Sequence, residues 1–302
     1  MRGKLEIKGI IPPIVTPLTD SEELDEQGLR RVCNLMIDAG VHGIFPLGSQ
    51  GEFWAFDMEE KRRILEIAVE EVGGQVPVYA GTGGATTREA IKLTKMAESI
   101  GVDCVSVITP YYIYPSQDEL YEHYTAIAGA TALPIILYNN PGRTGGVNLK
   151  PETVKRLSKI DNIIGIKDSS GDLGQTSELI RLTGDDFAVL AGRDTQILAV
   201  LVYGGKGAVA ATANVAPRLV VEIYERFIKG DIEGALRAQR TLAPLRNAFG
   251  LASFPVVVKE AMNLIGWPSG PARSPVGRIA GEARVKLIEI LKELGLSVVV
   301  GS

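Results

Sequence analysis

Histidine and cysteine are scarce in this chain, two of each among 302, at His42, His123, Cys33 and Cys104. Any histidine-rich zinc site or Ser-His-Asp triad would have to be built from those two histidines alone, which removes much of enzyme space. Each cysteine sits inside an apolar stretch, so both read as buried thiols of a reducing compartment and not as a disulfide framework. Aromatic residues make up 6% of the chain, and no block of five or more like charges occurs. With 32 basic and 36 acidic residues, a net charge of −4, the polyelectrolyte contribution that drives nucleic-acid binding has no footprint. No uncharged apolar run approaches the roughly 18 residues of a membrane span, and Met1 to Lys8 carries no apolar leader segment. The expectation is a cytoplasmic protein with neither nucleic acid nor membrane as a partner.

What the chain does have is core material: 45% of residues are hydrophobic and 23% charged, an ordinary globular composition. Short β-branched apolar runs recur, each closed by Gly, Pro, Ser, Thr or Asn. The eight are Gly9 to Val15, Gly43 to Leu47, Val76 to Ala80, Cys104 to Ile108, Pro134 to Tyr138, Ile163 to Lys167, Ala188 to Ala191 and Gly207 to Ala210. Amphipathic segments with helical spacing lie between them, among them Glu26 to Ala39, Met58 to Val72, Thr87 to Ile100 and Gln117 to Ala130, with Thr86 and Ser116 placed as N-caps. Strands with little inside/outside alternation are buried on both faces. Eight alternating units over about 210 residues suit a closed parallel (β/α)8 barrel, with a doubly wound open sheet as the rival. Helical patterns continue at Pro217 to Lys229, Ile232 to Phe249, Val256 to Ile265 and Gly281 to Leu294. The chain therefore divides, on this reading, into a barrel over 1–230 and a C-terminal helical appendage over 231–302 whose apolar surface packs on the barrel or on a sister subunit.

Active sites of such barrels lie at the C-terminal ends of the strands, so the polar residues there are the candidates. Lys167 closes the apolar run Ile163-Ile164-Gly165-Ile166, where barrel walls surround it and a charge is expensive to bury. A neutral amine at a barrel mouth is a nucleophile able to form a Schiff base with a ketone and to serve as an electron sink for carbon–carbon chemistry. A strand-end lysine reaching water is the plainer alternative. Schiff-base chemistry also needs proton relays, and without histidine the hydroxyls of Tyr138 and Ser49 at neighbouring strand ends are the available groups. Gly48-Ser49-Gln50-Gly51 offers successive backbone N–H groups that can cradle a carboxylate, although turn chemistry alone accounts for its glycines. It lacks a full Gly-x-Gly-x-x-Gly, and Gly81-Thr82-Gly83-Gly84 lacks the lysine of a phosphate loop. Arg143, two residues after Pro141, has the planar fork that matches a substrate carboxylate.

Gly48-Ser49-Gln50-Gly51-Glu52, Tyr138-Asn139-Asn140-Pro141-Gly142-Arg143-Thr144-Gly145 and Gly165-Ile166-Lys167-Asp168, in that order and spacing, resemble the dihydrodipicolinate synthase and N-acetylneuraminate lyase family. Thr109-Pro110-Tyr111-Tyr112, Thr212-Ala213-Asn214-Val215-Ala216-Pro217 and Val258-Lys259-Glu260-Ala261 extend the likeness over nearly the whole chain. The resemblance implies a (β/α)8 barrel with a C-terminal helical domain, usually a homotetramer built as a dimer of dimers, working on pyruvate bound as a Schiff base without metal or organic cofactor. By position it implies Lys167 as the Schiff-base lysine, Tyr138 as the relay tyrosine, Ser49 as the hydroxyl linking relay groups and Tyr112 as a tyrosine inserted across the dimer interface. Arg143 would bind the carboxylate of the second substrate, the backbone from Gly48 through Gln50 the pyruvate carboxylate, and Val209 would lie beside the pyruvate. Ser49-Gln50, the aromatic pair Phe53-Trp54 and Lys167-Asp168-Ser169 lean toward the sugar-acid aldolases of the family, whereas Pro141-Gly142-Arg143-Thr144-Gly145 has the synthase form. Arg143 tips the expectation to condensation of pyruvate with aspartate semialdehyde. The alternatives are aldol cleavage of a 2-keto-3-deoxy sugar acid, N-acetylneuraminate or a 4-hydroxy-2-oxo acid, and a non-catalytic ligand sensor on the same fold. Trp54, Met58, Lys61 and Ala85 stand where lysine-inhibited members line their dimer interface, so lysine inhibition is not expected.

Overall fold

The computed structural model describes residues 5–299, so the reading of the N-terminal segment falls in part, at Met1 to Lys4, outside the described residues. Seven parallel strands form one sheet: β1 (Gly9–Ile10), β2 (Tyr79–Gly81), β3 (Cys104–Ile108), β4 (Ile135–Asn139), β5 (Ile163–Asp168), β6 (Ala188–Ala191) and β7 (Gly207–Ala208). Their order, β1-β7-β6-β5-β4-β3-β2, leaves β1 and β2 as the two edges. The expected second strand, Gly43 to Leu47, fills the gap between them without becoming a regular strand. The His42 amide just before it and its own Phe45 amide donate to the Ile10 and Pro12 carbonyls on one side; on the other, the Ile44 amide donates to the Pro77 carbonyl and the Ile44 carbonyl accepts from the Tyr79 amide. The ladder stays irregular because Pro46 has no N–H and Leu47 turns to φ +54°. Leu47 then presses its carbonyl against β2, where a Cβ on Gly81 would lie 1.9 Å from that oxygen. The first strand is likewise shorter than Gly9 to Val15, since Pro12 and Pro13 remove two ladder donors.

Helices α1 (Glu26–Asp38), α2 (Met58–Val72), α3 (Thr87–Ile100), α4 (Gln117–Ala128), α5 (Pro151–Leu157), α6 (Leu173–Thr183), α7 (Ile197–Val202) and α8 (Pro217–Ile228) surround the sheet. Thr86 and Ser116 cap α3 and α4 as expected, each accepting from the amide of Glu89 or Glu119. Both expected cysteines are free and buried, Cys33 with its thiol pushed up to about 12 by burial. A large apolar layer lies between sheet and helices, and a smaller cluster of Ile11, Phe45, Tyr79, Ile136, Leu190 and Val209 plugs the barrel interior. Three further helices, α9 (Ile232–Asn247), α10 (Val256–Leu264) and α11 (Gly281–Glu293), follow the barrel. α9 packs along α8, and the residues after it close over the mouth of the barrel. No single described helix is long and apolar enough to cross a membrane.

One irregularity decides which side of the sheet carries the chemistry. Ile135 pairs with Ile163 but Ile136 pairs with Gly165, so Ile164 is an extra residue in β5. Ile163 faces the outer layer, and strict alternation from it would send Lys167 outward as well. The extra residue reverses the parity: Ile166 packs outward and Lys167 faces the barrel interior, directly beside its register partner Tyr138.

Candidate active site

A cavity of about 330 Å³ opens at the C-terminal ends of the strands, with Lys167, Tyr138, Ser49 and Gln50 at its base. Lys167 is 4% exposed, and its Nζ lies 3.9 Å from the centroid of the Tyr138 ring and 5.4 Å from that of Phe45. Two aromatic faces thus flank the amine and limit the water that reaches it. Tyr138 Oη is 3.3 Å from Ser49 Oγ and accepts from Asn140 Nδ2 at 2.8 Å. Burial pushes the Tyr138 phenol up. The Lys167 charge and the hydrogen bonds from Ser49, Asn140 and Lys167 outweigh it, leaving the phenol below its ordinary value. Lysine, phenol and hydroxyl form one connected path from the buried amine toward the loop after the second stave of the barrel.

That loop is held from below. Glu52, at φ +55° and fully buried, receives Lys259 Nζ at 2.6 Å and the Arg273 amide at 2.9 Å. Gln50 is also buried, its Nε2 3.4 Å from the Pro255 carbonyl and its Oε1 without a hydrogen-bond partner among the described residues. Asp168, next to Lys167, points away from the cavity. Its carboxylate accepts from Asn139 Nδ2, the Ser170 amide, Ser170 Oγ and Thr176 Oγ1, which anchors the end of β5.

The outer half of the cavity is basic. Arg143 stacks its guanidinium 4.1 Å over the Phe254 ring. Burial, and after it the nearby charges of Arg246 and Arg193, hold Arg143 below the usual arginine range against an opposing pull from Tyr138. Arg193 stands two residues past the end of β6, after Gly192, and Arg246 reaches in from the last turn of α9. Val209 lines the cavity. Gly48 does not line it; its carbonyl accepts the Phe53 amide in the turn behind Ser49. Tyr112 is not brought to the cavity within one chain: it stands 91% exposed at φ +77°, beside the exposed Ile113 and Tyr114. Tyr111 takes the inward place in that loop, its ring 6.1 Å from Phe53. Sequence reasoning missed Asn140 as a partner of Tyr138, and Arg193, Arg246 and Phe254 as lining groups. Arg193 stands just past a strand end and was open to the same rule that found Lys167; Arg246 and Phe254 belong to the C-terminal helices, where no strand end points to them.

The model of the dihydrodipicolinate synthetase family matches residues 6–294. A Methanopyrus kandleri protein described as 4-hydroxy-tetrahydrodipicolinate synthase is 43% identical, covering 96% of this chain and 97% of its own. A crystal structure of a dihydrodipicolinate synthase superposes with a TM-score of 0.92 at 39% identity, covering 96% of this chain and 99% of the other. A prophage protein of the same family from E. coli K12, crystallised in complex with pyruvate, matches with a TM-score of 0.92 at 36% identity over 96% of this chain and 99% of its own.

Proposed function

The chain belongs to the dihydrodipicolinate synthetase family, and from that premise we propose that it condenses pyruvate with aspartate semialdehyde to give 4-hydroxy-tetrahydrodipicolinate. The observation that carries this reading is the contact of Lys167 Nζ with Tyr138, whose hydroxyl is in turn held by Ser49 and Asn140. Lys167 adds to the C2 carbonyl of pyruvate, water leaves, and loss of a methyl proton gives the enamine. The enamine carbon attacks the aldehyde, whose oxygen takes up a proton. Attack of the substrate amine on the imine carbon then closes the ring and releases Lys167. Tyr138, below the usual tyrosine range and bonded to Ser49, is suited to give and take protons at each stage. The backbone at Ser49 and Gln50 receives the pyruvate carboxylate, Val209 bounds the pyruvate pocket, and Arg143 receives the carboxylate of the semialdehyde.

The working protein is a cytoplasmic homotetramer in this reading. Tyr112, Ile113 and Tyr114, exposed together on one loop, support a subunit contact that would carry Tyr112 into a neighbouring site. The free, buried cysteines suit a reducing compartment. The test is a set of steady-state rates: pyruvate with aspartate semialdehyde, beside pyruvate release from 2-keto-3-deoxygluconate and from N-acetylneuraminate, with Lys167→Ala as the blank. A semialdehyde kcat/KM orders of magnitude above the sugar acids is the expected result. A sugar acid winning instead makes the chain an aldolase with a synthase-like arginine.

A further inference from the structure

The inward pair Lys167 and Tyr138 has an outward counterpart. One residue further along the same register Asn139 pairs with Asp168, and neither side chain lines the cavity. Both are out of solvent, Asn139 wholly and Asp168 at 3% exposure. Asn139 Nδ2 donates to Asp168 Oδ1 at 2.9 Å, a side-chain bond that spans the two strands. The Ser170 amide, Ser170 Oγ and Thr176 Oγ1 bring the donors on this carboxylate to four. Hydrogen bonds to a buried charge are strong, and each one lost leaves that charge under-solvated, so the group holds its neighbours tightly. The end of β5 needs such a hold. The extra residue Ile164 lies three positions before Lys167, and a strand bends and twists more strongly at a bulge, so ladder bonds alone set the aim of Lys167 loosely.

Asn139 also seats the loop that follows it. Its Nδ2 donates to Asn148 Oδ1 at 2.7 Å, and its Oδ1 accepts the Leu149 amide at 2.9 Å. Residues 140–148, which carry Arg143, are therefore closed at their base on this one side chain. Gln175 on α6 secures Asn148 from the other side, its Oε1 accepting from Asn148 Nδ2 at 2.8 Å. We propose that Asn139 and Asp168 are positioning residues for the reaction: the bond between them holds Lys167 beside Tyr138, and Asn139 alone adds the seat of the Arg143 loop. The inference rests on the Schiff-base reading above and deepens it, since both residues act through the lysine and the loop without touching substrate.

The experiment compares wild type, Asn139→Ala, Asp168→Ala and the double variant, with urea unfolding to choose conditions in which each is folded. It reads the rate of borohydride trapping with pyruvate, then kcat and the KM of each substrate; trapping reports on Lys167 whichever aldehyde the enzyme prefers. Both single variants are expected to lower trapping and kcat about 10- to 100-fold, the range that a misplacement of about 1 Å can cost. Because the two residues act through one bond, the double variant should be no slower than the slower single one, whereas independent effects would multiply. Only Asn139→Ala should also raise the KM for the semialdehyde, since only Asn139 seats the Arg143 loop. Variants that unfold more readily in urea yet trap and turn over like wild type when folded overturn the proposal, as do effects that multiply in the double variant or an equal rise in that KM in both singles. If the alanine variants fail to fold, an exchange decides. Asn139→Asp with Asp168→Asn keeps one N–H···O bond across the strands with donor and acceptor reversed, and should trap pyruvate faster than Asn139→Asp alone, which sets two carboxylates side by side. No recovery in the exchange overturns the pair. Wild type that never traps pyruvate overturns the Schiff-base reading and the pair's role with it, whereas trapping unchanged in every variant overturns the pair alone.

Discussion

Lys259 on α10 sets its Nζ 2.6 Å from Oε1 of Glu52, with both side chains almost wholly out of solvent. Glu52 adopts a left-handed backbone, φ +55°, that a glutamate does not choose unaided. The pair therefore holds a strained turn in place, and that turn presents Ser49 to Tyr138. Removing one partner strands a buried charge. Lys259→Met is expected to cost about 3–5 kcal/mol in urea unfolding and to lower kcat through the displaced Ser49. Glu52→Gln combined with Lys259→Met should recover part of the stability. A single variant as stable as wild type would show that the turn holds itself.

Tyr138→Phe keeps the ring beside Lys167 and removes only the hydroxyl. Positioned proton transfer is worth about 10²- to 10⁴-fold, so kcat should fall by that order while the enzyme still traps pyruvate under borohydride. The phenol lies below its ordinary value because Lys167, Ser49 and Asn140 favour its anion over the opposing effect of burial. If the neutral phenol is the working form, activity declines on the alkaline side as it ionises. Asn140→Ala removes one bond to the anion, so the alkaline limb of the kcat profile should move to higher pH. A limb that stays in place would separate it from Tyr138.

His123 on α4 has Nδ1 2.9 Å from Thr87 Oγ1, and its Nε2 is buried without a partner among the described residues. Burial lowers its pKa from 6.5 to about 4. The folded state thus binds fewer protons than the unfolded chain between those values. The contribution is intact above the unfolded pKa and is lost as pH falls from about 6.5 toward 4. His123→Gln should flatten thermal stability over that window, by scanning calorimetry, relative to wild type.

L-lysine at millimolar concentration should leave the condensation rate unchanged. Glu89, an acid that could receive a cationic effector there, already accepts the Ala85 amide at 3.1 Å and faces the half-buried Lys61 ammonium. A second cation would meet that charge. An inhibition curve in the millimolar range would refute the argument.

The sequence made the staves of the barrel and their chemically active ends legible because a parallel barrel ties function to strand termini. Lys167 and Tyr138 close apolar runs, Ser49 follows one by two residues, and the fold brings the three together. It did not disclose that Lys167 faces inward, since that depends on the extra residue Ile164, and a register shift leaves no mark on an apolar run. Nor did it reveal the second stave as irregular, although Pro46 gave the physical cause in plain view. Arg246 and Phe254 stayed hidden for a different reason. Their place in the cavity follows from how α9 and the segment after it fold back over the mouth, a long-range packing that local pattern does not encode.

Arg246, Phe249 and Phe254 form a wall of the cavity from the residues after position 230, whereas Lys167, Tyr138 and Ser49 form its base from the sheet. Part of the cavity wall is therefore written far along the gene from the reacting lysine, the rest coming from strand-end loops that carry Arg143 and Arg193. Exchanging the stretch that encodes residues 240–256 between relatives would reshape one wall of the cavity while leaving the reacting lysine and Arg143 untouched. The barrel behaves in that sense as an engine with a separately built intake.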